Sequence, residues 1–175
     1  MPQSFTFDDS LKKYSISQAG FLKTLGSQSD KLIVGIVISQ NDTRGSRILV
    51  VQRAATERHY PDSYEIPGGK VEAEDETVLH AAVRETFEET GLQVVHFVGE
   101  FQPLTYTLER RSDGKPVTYL QLNFVANTEG PHKVTVNPTE HQAYKWVAED
   151  ELEGLPSSEE MKGVIRNAFK YLEGM

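Results

Sequence analysis

Residues 77–90 are the one central stretch of this chain whose hydrophobic period is helical, and they sit among short apolar runs with the character of strands. Val78 or Leu79, Ala82, Val83, Thr86 and Phe87 recur at i, i+3, i+4 and i+7 and predict one broad apolar helix face. Asp75 or Thr77 is suited to cap the start, and Gly91 to end the helix in a left-handed conformation. Upstream, residues 32–38 are β-branched and short, the pattern of a buried strand, and the cluster at 40–45 predicts a turn. Residues 47–52 form the next strand, expected to pair with or neighbour the first. Tyr64-Glu65-Ile66 leads into Pro67-Gly68-Gly69, a chain-bending signal. Downstream, strands are expected over 92–101, 105–110, 118–126 and 144–148, with a turn at 111–116 joining the middle pair and a loop at 130–138. A second amphipathic helix closes the chain over 159–172.

With one crossover helix and several late hairpins, the pattern predicts an α/β fold. Its sheet is mixed and carries helices on its faces, rather than being all-parallel and doubly wound. Residues 1–30 are a polar N-terminal extension with a short helix over 10–25, built on Leu11, Tyr14, Phe21 and Leu25 and weakened by Gly20. Residues 31–175 make the main domain.

Composition excludes several function classes. There is no cysteine, so disulfide frameworks, thiolate zinc sites and cysteine nucleophiles are out. The five histidines (His59, His80, His96, His132, His141) show no metal-ligand spacing, which argues against a zinc enzyme. A net charge of −8 with no basic run disfavours nucleic acid polymers and anionic membranes. A small anionic substrate that brings its own divalent cation stays compatible. No membrane span, secretory signal or transit peptide is evident, so a soluble, cytoplasmic protein is expected. P-loop and nucleophile-elbow motifs are absent.

The chemically informative stretch is Arg84-Glu85-Thr86-Phe87-Glu88-Glu89-Thr90-Gly91-Leu92. On a helix, Glu85 lies i, i+3 from Glu88 and i, i+4 from Glu89, so three carboxylates share one surface. Such like-charge pairs cost a few tenths of a kcal/mol each, and Arg84 relieves only part of that. Two readings are open: a solvated charged face, or a site for hard divalent cations such as Mg²⁺ and Mn²⁺, whose charge removes the repulsion. Pro67-Gly68-Gly69 favours the second, because glycines let the backbone approach the helix and present a carbonyl to an ion. Glu76, at the helix start, complements the dipole.

Gly69, Glu76, Arg84, Glu85, Thr86, Glu88, Glu89, Gly91 and Leu92 resemble the Nudix box, G-x5-E-x7-R-E-U-x-E-E-x-G-U with U aliphatic. There are two departures. Six residues rather than five separate Gly69 from Glu76, and Thr86 stands where an aliphatic is usual. Arg53-Ala54-Ala55, Glu65-Ile66-Pro67-Gly68-Gly69 and Glu140-His141-Gln142 with Trp146 resemble the MutT-like branch, and the resemblance spans about residues 32–172.

The resemblance implies an α/β/α sandwich around a central mixed β-sheet. It implies hydrolysis of a pyrophosphate bond in a nucleoside diphosphate linked to another group, with Mg²⁺ (Mn²⁺ substituting) as cofactor. Glu85, Glu88, Glu89 and the Gly68 carbonyl match metal ligands, and Arg84 with Glu76 match a pair that orients the helix carboxylates. Glu140 matches a further acid that binds metal or helps deprotonate water, and Arg53 a substrate-binding residue. Glu85 and Glu89 are both candidates for general base. The small-molecule nucleotide expected is a nucleoside triphosphate, oxidised nucleotides included. ADP-ribose, nucleotide sugars and dinucleoside polyphosphates are the alternatives, and a nucleotide-sensing module without turnover a third reading. A proline that marks many ADP-ribose hydrolases is missing near 107–110, and the purine-reading Asn of the MutT branch has no counterpart near 155–160.

Overall fold

The computed structural model describes residues 4–26, 29–110, 112–130 and 133–175. Parts of the N-terminal extension (1–3, 27 and 28), Arg111 of the expected turn, and Pro131 and His132 of the expected loop lie outside the described residues.

The strands are β1 (Thr6–Phe7), β2 (Lys31–Val37), β3 (Ser39–Asp42), β4 (Gly45–Arg53), β5 (Tyr64–Glu65), β6 (Gly68–Lys70), β7 (Val94–Glu109), β8 (Pro116–Thr128) and β9 (His141–Val147). The helices are α1 (Gln18–Leu25), α2 (Val78–Thr90) and α3 (Glu159–Glu173), with short 3-10 turns at Asp9–Tyr14 and Glu149–Glu151. One sheet runs β1-β7-β8-β2-β6. In it β2 is parallel to β8, β1 is parallel to β7, and the other pairs are antiparallel. A second, antiparallel sheet places β4 beside β3, β5 and β9. The mixed sheet and flanking helices agree with the expected α/β class.

Strand alternation divides the core in two. Leu32, Val34, Ile36, Leu49, Leu122 and Phe124 pack with α2 and the N-terminal elements, whereas Val37, Ile48, Val50 and Val125 pack with α3. Both sheet faces are therefore covered, which is why these strands read as near-continuous apolar runs.

Three sequence expectations change. First, β2 and β4 lie in different sheets, because β8 and β6 occupy both hydrogen-bonding edges of β2. The 40–45 cluster is itself a hairpin of β3 and β4, with the Asp42 side chain accepting from the Arg44 N–H at 2.7 Å. Second, the two strands expected over 92–101 and 105–110 are one, β7. Its register against β8 shifts between Phe101 and Leu104, and that bulge accommodates Pro103, which has no N–H to give the ladder. Third, the helix expected over 10–25 is broken. Ser17 caps α1 by accepting from the Gly20 N–H at 3.2 Å, and the preceding turn is 3-10. Leu11, Tyr14 and Phe21 are buried as expected and Leu25 is partly buried. Tyr14 meets Phe124 edge-on at 5.0 Å.

Candidate active site

Helix α2 begins and ends on the expected signals. Thr77 accepts from the His80 N–H at 3.2 Å, and Gly91 (φ 69°) donates to the Phe87 carbonyl at 2.8 Å. The face it buries is not the purely apolar one expected. Glu85 and Glu89 are 9% and 4% exposed, whereas Phe87 is 50% exposed. Thr86 sits inside, its hydroxyl donating to the Ala82 carbonyl at 2.7 Å, so the polar replacement in the box is satisfied by its own helix.

Glycines make the burial of these acids feasible. Strand β6 pairs Gly68 with Gly35 and Gly69 with Val34. A Cβ on Gly68 would lie 2.0 Å from the Val34 carbonyl oxygen, and one on Gly69 would lie 2.6 Å from the Glu85 carboxyl. The Gly68 N–H donates to Glu89 Oε2 at 2.8 Å.

Arg84 is the hub of the helix's first contacts. Its Nε and Nη2 donate to the two Asp75 oxygens at 2.9 and 2.8 Å, and Nη1 donates to Glu85 at 2.8 Å and to Glu88 at 3.1 Å. Nη2 also reaches the Lys70 carbonyl at 3.0 Å. Glu76 does not join this pair. Its side chain is 78% exposed and lies 3.7 Å from His80. The partner of Arg84 is Asp75, which five residues separate from Gly69, and counting the box from the glycine rather than back from the arginine finds it.

Glu88 is half-exposed. Glu140 is exposed and accepts from Asn137 Nδ2 at 3.3 Å, and its carboxylate lies within 4.8 Å of ligand atoms of Glu89 and His141. Two participants, Glu65 and His141, belong to stretches that resemble the MutT-like branch but carry no expected role. Glu65 takes Arg53 Nη1 at 2.7 Å and lies 3.5 Å from His141 Nε2, which is 3.8 Å from Glu89 Oε1. His141 follows Glu140 directly, but nothing in its local pattern marks it as inward-facing.

The electrostatics are those of acids gathered out of water. Burial pushes Glu89 well above the ordinary carboxylate range. The Gly68 hydrogen bond opposes this, and Glu65, Glu85 and Glu140 add to it. Burial also raises Glu85, against the pull of Arg84. For Asp75, burial favours the neutral acid, but the Arg84 hydrogen bonds outweigh it and hold the group below its usual value. Burial works against the Arg53 charge, and Glu65, Glu57 and Glu89 outweigh it. Clustered carboxylates that burial and mutual repulsion bias towards protonation are a donor set that a hard cation relieves, so the residues present fit a divalent ion.

Beside the acids opens a cavity of about 860 Å³, within the range that takes nucleotide-sized ligands. Gly68, Gly69 and Glu65 line it, Arg53 and Lys70 are among the cations on its wall, and Tyr60, Tyr106 and Tyr119 contribute aromatic surface. Tyr106 and Tyr119 stack at 5.2 Å, and burial raises the Tyr106 phenol to about 12, keeping it protonated. Trp146 is not a cavity residue; it packs against the core.

A mixed-sheet α/β scaffold with a carboxylate-bearing helix behind a glycine strand and beside a nucleotide-sized cavity suits metal-assisted hydrolysis of a phosphoanhydride. A family model described as NUDIX domain matches residues 30–168, and the chain belongs to that family. It is a MutT-like Nudix pyrophosphohydrolase acting on nucleoside diphosphate derivatives. An RNA pyrophosphohydrolase of Bartonella tribocorum is 28% identical over 143 residues, 71% of this chain and 78% of that protein. An 8-oxo-dGTP diphosphatase of Buchnera aphidicola is 27% identical over 121 residues, 69% of this chain and 78% of that protein. Among solved structures, a C. elegans Ap4A hydrolase binary complex superposes with a TM-score of 0.64 at 24% identity, covering 83% of this chain and 100% of that one. Nudix hydrolases generally use divalent metals. No helix among the described residues is long and apolar enough to cross a membrane.

Proposed function

We propose that the chain is a Mg²⁺-dependent nucleoside triphosphate pyrophosphatase, releasing a nucleoside monophosphate and pyrophosphate. The observation that carries this reading is the backing of buried Glu85 and Glu89 directly onto Gly68 and Gly69, which line the cavity. A polyphosphate entering there meets Arg53 and Lys70 on the wall, and Gly68 and Gly69, onto which the buried carboxylates back. Glu85, Glu88, Glu89 and Glu140 would hold the ions. Arg84, fixed by Asp75, holds Glu85 in orientation. Bound divalent ions acidify water and neutralise charge on the phosphate oxygens. Water attacks one phosphorus, and the bond from that phosphorus to the bridging oxygen breaks, the second phosphate leaving with the oxygen. The proton goes to Glu85 or Glu89, whose carboxylates the Arg84 and Gly68 hydrogen bonds hold in place. The net charge of −8 favours a small nucleotide over a polynucleotide.

A dinucleoside polyphosphate is the second reading, favoured by Tyr60, 60% exposed on the same cavity wall, which adds aromatic surface to the Tyr106–Tyr119 stack. Product chromatography separates the readings. Monophosphate plus pyrophosphate from triphosphates supports the first. Rapid cleavage of diadenosine tetraphosphate into AMP and ATP, or of ADP-ribose into AMP and ribose 5-phosphate, with poor triphosphate turnover, overturns it and leaves the family standing.

A further inference from the structure

His141 is 2% exposed, and neither ring nitrogen has a hydrogen-bond partner among the described residues. An unsatisfied buried polar group costs about 1–3 kcal/mol, so an imidazole in this place calls for a ligand. Its Nε2 faces Glu65 Oε1 at 3.5 Å and Glu89 Oε1 at 3.8 Å, both too long for good hydrogen bonds. Two ligands each about 2.0–2.2 Å from one ion stand no more than about 4.4 Å apart. The Nε2–Glu89 separation is therefore one that a shared ion would bridge. Glu140, whose carboxylate lies within 4.8 Å of both, is exposed and gives an ion a way in.

The backbone explains why the ring points inward. The register of β9 against β4 shifts between Gln52 and Arg53, so that Gln52 faces Ala143 and Arg53 faces His141. A bulge of this kind re-aims a side chain. The His141 N–H is tied to the Asn137 carbonyl at 2.8 Å, which fixes the entry to the strand.

We propose that His141 Nε2, Glu89 and Glu140 form a mixed nitrogen–oxygen site for a transition-metal dication such as Mn²⁺ or Co²⁺, beside the all-oxygen positions offered by Glu85 and Glu88. Imidazole suits such ions, whereas Mg²⁺ is served by oxygen ligands. The chain thus has a nitrogen donor that the resemblance to the family does not supply. The inference rests on the reading of the α2 carboxylates as metal ligands.

The test is pulsed electron paramagnetic resonance on the full chain loaded with Mn²⁺. Modulation from a directly bound ¹⁴N is expected in the wild type and in His59→Gln, which alters a histidine of the cavity wall. It is expected to vanish in both His141→Gln and His141→Phe, with circular dichroism confirming that at least one of them is folded. Calorimetric titration of the same variants should show Co²⁺ affinity falling at least about tenfold, and Mg²⁺ affinity changing less than about twofold. Mn²⁺ bound with no nitrogen modulation, or modulation that survives loss of His141, overturns this proposal alone. Failure of the wild type to bind Mn²⁺ at all overturns it together with the reading of the carboxylate cluster.

Discussion

Helices α2 and α3 lie against opposite cores and spend their buried faces differently. Helix α3 buries Val164, Ile165, Ala168 and Phe169. Its N-cap Ser158 accepts from the Met161 N–H at 3.2 Å, and Glu159 and Glu160 occupy the first turn, where the dipole favours acids. Its one buried charge, Lys162, donates to the Glu153 carbonyl at 3.1 Å. Helix α2 has equally sound caps but buries two glutamates and leaves a phenylalanine half in water. Its glutamates gain from the Arg84 and Gly68 hydrogen bonds, yet burial still pushes both towards protonation. An element that departs from its own hydrophobic pattern this way is held for chemistry rather than for stability.

The sharpest way to break the comparison is to truncate each helix at a buried side chain. Phe169→Ala on α3 should cost about 3–5 kcal/mol of stability through a cavity, with kcat per folded molecule unchanged. Urea unfolding beside active-site titration checks both. If turnover per folded molecule collapses as well, α3 is not merely structural. On α2 the pattern should invert. Glu85→Gln or Glu89→Gln should lower kcat/KM at least about a hundredfold, roughly 2.7 kcal/mol. Stability without metal should hold or rise, because a like-charge repulsion goes. Circular dichroism must accompany the kinetics, since a variant inactive through unfolding does not support the claim.

A smaller effect sharpens the assignment within α2. Asp75→Asn weakens the bidentate hold on Arg84 and should cost about tenfold in rate, whereas Glu76→Gln should change it less than about twofold, its side chain being exposed. Equal losses, measured as kcat/KM on one nucleotide, would return Glu76 to the site.

The smallest effect is a drift with pH. Because the folded-state pKa values of Glu85 and Glu89 are raised, their contribution is full below the unfolded value of 4.5 and is lost as pH rises through the folded values. The opposite shift of Asp75 gives stability that is lost only as pH falls below the unfolded value of 3.8. In chelator, the melting temperature should therefore fall from about pH 5 towards pH 8, and Glu89→Gln should flatten the trend. A rise over that range in the wild type would refute the assigned environments.

What the sequence made legible is what local chemistry decides. The limits of α2, its Thr77 cap and Gly91 stop, and the buried alternation of β8 all follow from residue type and spacing. Pairing partners were harder to read, because a strand buried on both faces does not say which neighbour takes its edges; β2 was matched to β4 when β8 and β6 hold it. Within the site, Glu85 and Glu89 were readable from the box. Asp75 was displaced by a one-residue insertion that hides which acid faces Arg84. His141 depends on a register shift between β4 and β9, a property of two strands and not of either alone.

The central claim is that the acids buried by α2 serve a bound divalent cation in hydrolysis, and it is tested most directly by chelation. Turnover of a nucleoside triphosphate by the chelator-treated protein should be absent and should return on adding Mg²⁺ or Mn²⁺. Unchanged turnover after exhaustive chelation would contradict the account.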